Sequence, residues 1–529
     1  MSSITCIGGR AAGGRAAGGR ADLSTLNAES KVLHLWTRNM ASPQKVVVVG
    51  GGPVGALSAL YAARRGYAVE LYELRDDPNY GSQSARPDIA VIPLALSERG
   101  IRAIAEAGVP GLLDRILDNS RPIDTRMIHT RDSHGNIKNI PMVYGPQGQC
   151  LHTLPRERIT KHVMLALMDE PNAKLFFNQR LTSCNLDAQV ATFESVVWKN
   201  TAEDGEKREA SRPMPVETSQ TTSVEFDFLI GADGTYSSAR QFMMRKSCMD
   251  FSQEYLQALW CDFIFPTAPD GSYRMQSTCL HVWPADESIV MCQPDFDGSF
   301  RAGMVCDTAK VRYYEAHPDE FAAFFDNEFP GIIPRILSAE AVTQQFLAHQ
   351  KMPLKSVKCG QLGYKDCVVL LGDSSHSMTP FHAMGMMIGL EDVRIFFQEF
   401  RDGAGLGDPS KPFCTPGTVE AYSRHRLPDV HAMVDMATEH YYELRVGVRS
   451  SAARTRKVAD AFLSRWVPSL DWTTLYARIQ FGHERFTVVR EKEAMQKKIT
   501  QRVLAGAGGL LAAMAFASVM KLAEVVYNE

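Results

Sequence analysis

The sequence predicts an α/β protein: a Rossmann-like nucleotide-binding domain, an antiparallel β-sheet domain, a C-terminal helical region and a tail-anchor helix. Three observations predict it. Residues 45–73 read strand, glycine turn, helix, strand, with GxGxxG at Gly50, Gly52 and Gly55. Two further short apolar runs, 226–230 and 368–372, each lead into an Asp/Gly pair. Between residues 257 and 305, strand patterns repeat with no helix between them, which indicates an antiparallel sheet.

In the first unit, Val46–Val49 is an unbroken β-branched run, the pattern of a strand buried on both faces. Gly50 permits the tight turn, Gly52 lets the backbone approach a pyrophosphate, and Gly55 lets helix and strand touch. Ala/Leu-rich residues 56–65 form the helix, whose start offers free N–H groups and a positive dipole end to phosphate. Glu73 ends the second strand, eighteen residues past Gly55, where its carboxylate can accept both ribose hydroxyls of an adenosine. A carboxylate there disfavours a 2′-phosphate, so FAD or NAD fits better than NADP. A glycine turn without a ligand is the alternative, and the strand, helix and acid in register weigh against it.

The length of 529 residues suits two or three domains. With 45% apolar and 22% charged residues and a net charge of −3, the chain lacks the basic excess of a nucleic-acid binder. Its eleven cysteines are scattered without a CxxC pair, which points to reduced thiols and no structural metal. Residues 1–39 contain the repeat GGRAAGGRAAGGR and are expected to be a disordered low-complexity arm. At the other end, residues 503–520 carry no charge and are flanked by Lys497, Lys498, Arg502 and Lys521. As a helix they would span about 27 Å, barely a bilayer core. A membrane anchor over 503–522 is expected, with a buried or interfacial helix as the alternative.

In chain order, 95–107 reads as helix, and 125–129 with 137–144 as a hairpin projecting from the nucleotide domain. Residues 154–168 read as helix, 173–181 as strand and 200–223 as an exposed β-meander loop. The antiparallel sheet then roofs a pocket. After it, 368–372 returns to the parallel type, 385–400 is helical, and the chain is largely helical from Tyr422 on.

The pairs Asp233-Gly234 and Gly372-Asp373 each follow an apolar strand. Aspartate at such a strand end can bind a ribityl hydroxyl, and a nearby helix start can stabilise negative charge on a flavin ring. With GxGxxG they make three linked signals for FAD, an arrangement that resembles the single-component flavin-dependent aromatic hydroxylases. That family has one FAD domain, an antiparallel substrate sheet and no NADPH domain. No second strand-bound GxGxxG occurs, so NADPH would be a transient co-substrate.

The resemblance narrows to the kynurenine 3-monooxygenase family through LALSERG (94–100), RMIH (126–129), Tyr144-Gly145, FSQEY (251–255), LHVWP (280–284), VVLLGDSSH (368–376), GLED (389–392) and SRHRLPD (423–429). It implies a hydroxylase over 40–400, with FAD-binding parts at 45–181, 226–245 and 357–400 and the substrate sheet at 250–350, then a helical region over 415–500. It also implies that Arg126, Tyr144 and Tyr476 hold the amino-acid end of the substrate and that Arg156 lies near the FAD pyrophosphate. An arginine fork suits a carboxylate, and phenol hydroxyls add directional hydrogen bonds.

This chain departs from the family beside the flavin. Where the family has phenylalanine-glycine-glutamine-glycine-methionine-asparagine, it has His382-Ala383-Met384-Gly385-Met386-Met387, and a family asparagine near the substrate carboxylate is His440. Met384 and His382 are the candidate catalytic positions, with Gly385, Met386 and Met387 on the cofactor side. Either the pocket takes a more apolar aromatic, or His382 and His440 replace the lost hydrogen bonds. The implied reaction is hydroxylation of L-kynurenine ortho to its ring amine, through a flavin C4a-hydroperoxide formed from O2 after NADPH reduces FAD. Alternatives are another aromatic or apolar substrate, or an uncoupled NADPH oxidase. The family further implies the mitochondrial outer membrane, with the catalytic part facing the cytosol.

Overall fold

In the computed structural model, the described residues are 44–77, 94–132, 134–144, 148–198, 215–403, 405, 408–409, 411–446 and 472–502. The arm expected over 1–39 and the anchor expected over 503–522 lie outside them. Among the described residues, no helix is long and apolar enough to cross a membrane.

Among these residues six strands form the nucleotide-domain sheet, in the order Gly363–Tyr364, Val368–Leu370, Phe228–Gly231, Lys45–Val49, Ala68–Tyr72, Ala173–Phe176. Pairing is parallel except at the Gly363–Tyr364 edge. Lys45–Val49 lies inside the sheet, and its valines divide between two cores by the two-residue period of a strand. Val46 and Val48 pack among the large helix-bearing core, while Val47 and Val49 pack on the other face with Phe193, Phe226 and Met243. The helix Pro53–Ala63 crosses the first face, buried along nearly its whole length.

The second sheet has the order Lys351–Cys359, Phe251–Phe265, Phe300–Asp307, Ser288–Pro294, Cys279–Pro284, Thr125–Arg131, Ile137–Val143. The predicted hairpin is present, but it extends this second sheet instead of projecting from the nucleotide domain. Thr125–Arg131 pairs in parallel with Cys279–Pro284, so Arg126 stands opposite Leu280. One face of this sheet is covered by the helices Thr308–Ala316, Pro318–Glu328 and Ala339–Ala348. The other carries Trp260, Val282, Ile289 and Leu354 and meets Phe381 and Tyr441.

Other boundaries move for local reasons. Ala95-Leu96 is a short strand and the helix begins after Ser97, spanning Glu98–Ala105. The strand read over 173–181 breaks at Asn178, whose φ of 57° is left-handed, into Ala173–Phe176 and Gln179–Asn185. Part of the expected 200–223 loop is the strand Pro215–Glu225, antiparallel to Val190–Trp198. The late chain is helical over Thr418–Val446, Leu475–Phe481 and 486–502.

Candidate active site

The glycine turn is built as a phosphate cradle. Gly50 has φ +99°, and a Cβ there would lie 2.4 Å from the Ala232 carbonyl oxygen. A Cβ on Gly55 would meet the Gly50 carbonyl oxygen at 1.9 Å, so no side chain fits where the helix crosses the strand end. Beside Gly52 the nearest group is the Arg156 guanidinium, 3.3 Å from where a Cβ would stand. The carboxylate of Glu73 accepts from Gly51 N–H and, at 2.9 Å, from Arg75 N–H. That holds it at the end of Ala68–Tyr72, facing the turn.

The two Asp/Gly pairs close the other side. Asp233 Oδ2 accepts from Ala239 N–H at 3.0 Å, while its buried Oδ1 has no hydrogen-bond partner. Burial pushes this carboxyl up against the opposing hydrogen bonds from Ser237 and nearby backbone N–H groups. Gly234 has φ +78° and open space where a Cβ would be. Asp373 Oδ2 accepts from the Thr235 hydroxyl at 3.3 Å, which ties the two pairs together. Gly372 has φ +64°, and Gly385 begins the helix Gly385–Arg394 with its Cβ position 3.8 Å from Asp373 Oδ1. An orphaned buried carboxylate oxygen, an open glycine at 234 and a helix start at 385 are features that a flavin dinucleotide would fit.

A cavity of about 620 Å³ including its mouth lies between the second sheet, the turn 380–383 and the late helices that carry Leu444 and Tyr476. Its apolar walls include Trp260, Leu280, Val282, Met291 and Phe381, and its polar groups include Arg126, Tyr144, Tyr476 and His382. The Arg126 guanidinium carbon sits 4.5 Å from the centre of the Tyr476 ring, and Tyr144 stacks on Tyr476 at 5.1 Å. Arg126 Nε and the Tyr144 hydroxyl are buried without a hydrogen-bond partner. Burial works against the Arg126 charge, but Tyr476 and Tyr144 together hold its pKa above the usual value. Burial pushes the Tyr144 phenol well up, more than Arg126 pulls it down.

A family described as the FAD binding domain matches residues 44–437. A kynurenine 3-monooxygenase of Neurospora crassa is 36% identical over 479 residues, covering 88% of this chain and 91% of the relative. One of Aspergillus fumigatus is 35% identical over 460 residues, covering 86% and 88%. The chain belongs to the kynurenine 3-monooxygenase family. It is an FAD-dependent monooxygenase. Among solved structures, p-nitrophenol 4-monooxygenase from Pseudomonas putida aligns with a TM-score of 0.56 at 18% identity, covering 87% of this chain and 99% of that one. A tetrameric form of 2-methyl-3-hydroxypyridine-5-carboxylic acid oxygenase aligns at 0.55 with 15% identity, covering 82% and 99%. These two share the fold.

The positions where this chain leaves the kynurenine 3-monooxygenase pattern divide sharply. Met384 and Met387 are fully buried in the helix-bearing core and do not line the cavity. Met387 Sδ lies 3.3 Å from Ser97 N–H, and Met384 Sδ 3.9 Å from the Ser97 hydroxyl. The Met384 side chain, expected beside the reacting ring, thus packs beneath the helix Gly385–Arg394, because the left-handed Ala383 turns the chain there. Met386 packs partly buried against the same core. His382 does line the cavity, 2% exposed, with its ring stacked 4.2 Å from that of His440. His440 Nδ1 in turn lies 3.7 Å from a Glu443 oxygen.

Two sets of residues carry the site without having been singled out as site residues. Trp260 forms a wall, and it fits because Gly303 on the adjacent strand has no side chain: a Cβ there would lie 1.9 Å from the indole. Beneath the Gly372-Asp373 turn is a buried charge cluster. Asp392 accepts from Gly372 N–H at 2.9 Å, from His376 Nε2 at 2.6 Å and from Arg426 Nε at 2.8 Å. Arg426 also donates to Glu391, which receives Arg99 as well. Burial would raise the Asp392 carboxyl, yet His376 and Arg426 hold it below the ordinary carboxylate range, and Arg426 and Arg99 do the same for Glu391. The LALSERG, VVLLGDSSH, GLED and SRHRLPD strings contain these residues. Charges on the apolar face of a helix were the signal available in the sequence.

Proposed function

We propose that this enzyme hydroxylates L-kynurenine to 3-hydroxykynurenine, with NADPH as the reductant and a place in tryptophan catabolism. The observation that carries the reading is half-buried Arg126, whose Nε is buried without a hydrogen-bond partner, in a cavity whose walls are otherwise largely apolar. A substrate carboxylate supplies the missing partner of Arg126 Nε and an acceptor for the Tyr144 hydroxyl. The names of the relatives support the same substrate.

In this reading Gly50, Gly52, Gly55, Glu73 and Arg156 hold the adenosine and pyrophosphate of FAD, and Asp233, Gly234, Gly372, Asp373 and Gly385 its ribityl and ring end, which the shape of the glycine turn supports. Bound flavin supplies oxygen activation and delivery of hydroxyl to an electron-rich ring. The chain itself anchors and orients: Arg126, Tyr144 and Tyr476 fix the amino-acid end. Trp260, Leu280, Val282 and Phe381 hold the aryl group and keep water away from the reacting carbon. The ring amine of the substrate provides the electron density for ortho attack.

The test is NADPH oxidation by the full-length, FAD-loaded protein with and without L-kynurenine, with products identified by mass spectrometry. Stimulated oxidation with one oxygen added at the 3-position is expected. Hydrogen peroxide as the sole product would overturn the substrate and favour an uncoupled oxidase. The uncharged stretch 503–520 supports membrane attachment, at the mitochondrial outer membrane by family resemblance. Carbonate extraction of the full chain against one ending at residue 502 tests the attachment, and fractionation of organelles tests the membrane.

A further inference from the structure

The polar end of the cavity is unbalanced. Arg126 offers a cation and Tyr144 and Tyr476 offer hydroxyls, which together serve a carboxylate. An amino acid also brings an α-ammonium, and none of the described residues lining the cavity is an aspartate or glutamate. The ammonium therefore needs a neutral acceptor close to Arg126.

His382 meets that need. Its ring faces the cavity, 6.3 Å from the Tyr476 ring, and both ring nitrogens are buried without a hydrogen-bond partner. Its backbone is pinned, since Gln480 Nε2 donates to the His382 carbonyl. Its ring is fixed by the stack on His440. Burial, His440 and Arg126, in that order, keep the imidazole unprotonated, against a smaller opposing pull from Glu443. A neutral imidazole keeps one nitrogen lone pair free to accept.

We infer that His382 is a specificity-determining residue that accepts a hydrogen bond from the α-ammonium of the substrate, with His440 as the positioning residue behind it. The inference rests on the amino-acid substrate class proposed above. It gives the phenylalanine-to-histidine departure at 382 a function: the pocket distinguishes an α-amino acid from the same keto acid without its amine.

The experiment is calorimetric titration of the FAD-loaded full chain with L-kynurenine and with 4-(2-aminophenyl)-4-oxobutanoate, which lacks only the α-amine. Wild-type protein is expected to prefer L-kynurenine by about ten- to a hundred-fold, the range for a hydrogen bond to a charged group. His382→Phe and His382→Leu should bring the two ligands within about threefold of each other. His382→Gln, which keeps an acceptor, should restore most of the preference, and Arg126→Ala should weaken both ligands alike. If the Phe and Leu variants keep the wild-type preference, the inference is overturned while the substrate class stands, and Gln293, a neutral amide that also lines the cavity, becomes the acceptor to test. If wild-type protein binds neither ligand, the substrate class falls and the inference falls with it.

Discussion

Replacing Arg426 by methionine removes one of two guanidiniums that face the two buried carboxylates of Glu391 and Asp392. Arg426 is 2% exposed, so water cannot take its place. Breaking a buried pair by deleting one partner costs about 3–5 kcal/mol, because the remaining charge stays buried and uncompensated. Unfolding roughly 400 described residues carries an entropy of about 2.1 cal/mol/K per residue, so the melting temperature should fall by about 4–6 °C. The effect depends on pH in a definite sense. In the wild type both carboxyls sit below their ordinary range, so their contribution is complete above the unfolded carboxylate pKa and is lost as pH falls through the folded one. Without Arg426, burial raises these carboxyls and they take up protons earlier. The gap between wild type and variant should therefore narrow as pH falls from about 7 toward about 5. Because Asp392 holds Gly372 N–H, flavin should also dissociate more readily. Thermal unfolding followed by circular dichroism and by release of flavin fluorescence, at both pH values, measures all three. A variant melting within about 1 °C of wild type with its flavin retained would refute the assigned energetics.

Three further outcomes follow from the same geometry. Gly55→Ala puts a methyl into the Gly50 carbonyl oxygen and should leave a folded protein that purifies with little FAD, read from its visible-to-ultraviolet absorbance ratio. Arg126→Ala should lower kcat/KM for L-kynurenine about a hundred-fold, the scale for losing one partner of a buried charge pair. Met387→Asn, which restores the family residue, should lower the melting temperature by about 2 °C and leave hydroxylation unimproved, because position 387 is in the core. A gain in activity would mean that residue 387 reaches the cavity.

The nucleotide domain was legible because its signals are local. The β-branched run, the glycine spacing and the acid at the strand end fall within thirty residues, and each constrains the backbone on its own. The hairpin 125–143 was legible as a hairpin, but not as part of the second sheet. Its parallel partner, Cys279–Pro284, lies about 150 residues away, and nothing in either strand names the other. For the same reason Glu391 and Asp392 could be read as charges on an apolar helix face, but not as joined to Arg99 and Arg426. Met384 and Met387 sit on the first turns of a helix whose direction is set by a left-handed residue at 383, so their side chains pointed away from the expected cavity. The chemistry of Arg126, Tyr144 and His382 could be read from residue type, whereas their meeting in one cavity required the hairpin of the second sheet and the turn Pro380–His382 to come together.

Trp260 and Gly303 are two halves of one shape, although only the tryptophan touches the cavity. The indole rests in a notch left by a missing side chain on the neighbouring strand. A mutation that enlarged residue 303 would tilt the indole into the substrate space, while one that shrank residue 260 would leave an empty notch. Along any line of descent the two positions should be inherited as a couple, with a bulkier 303 tolerated only alongside a smaller 260. A search for altered substrate size in this enzyme should therefore begin with paired libraries at 260 and 303.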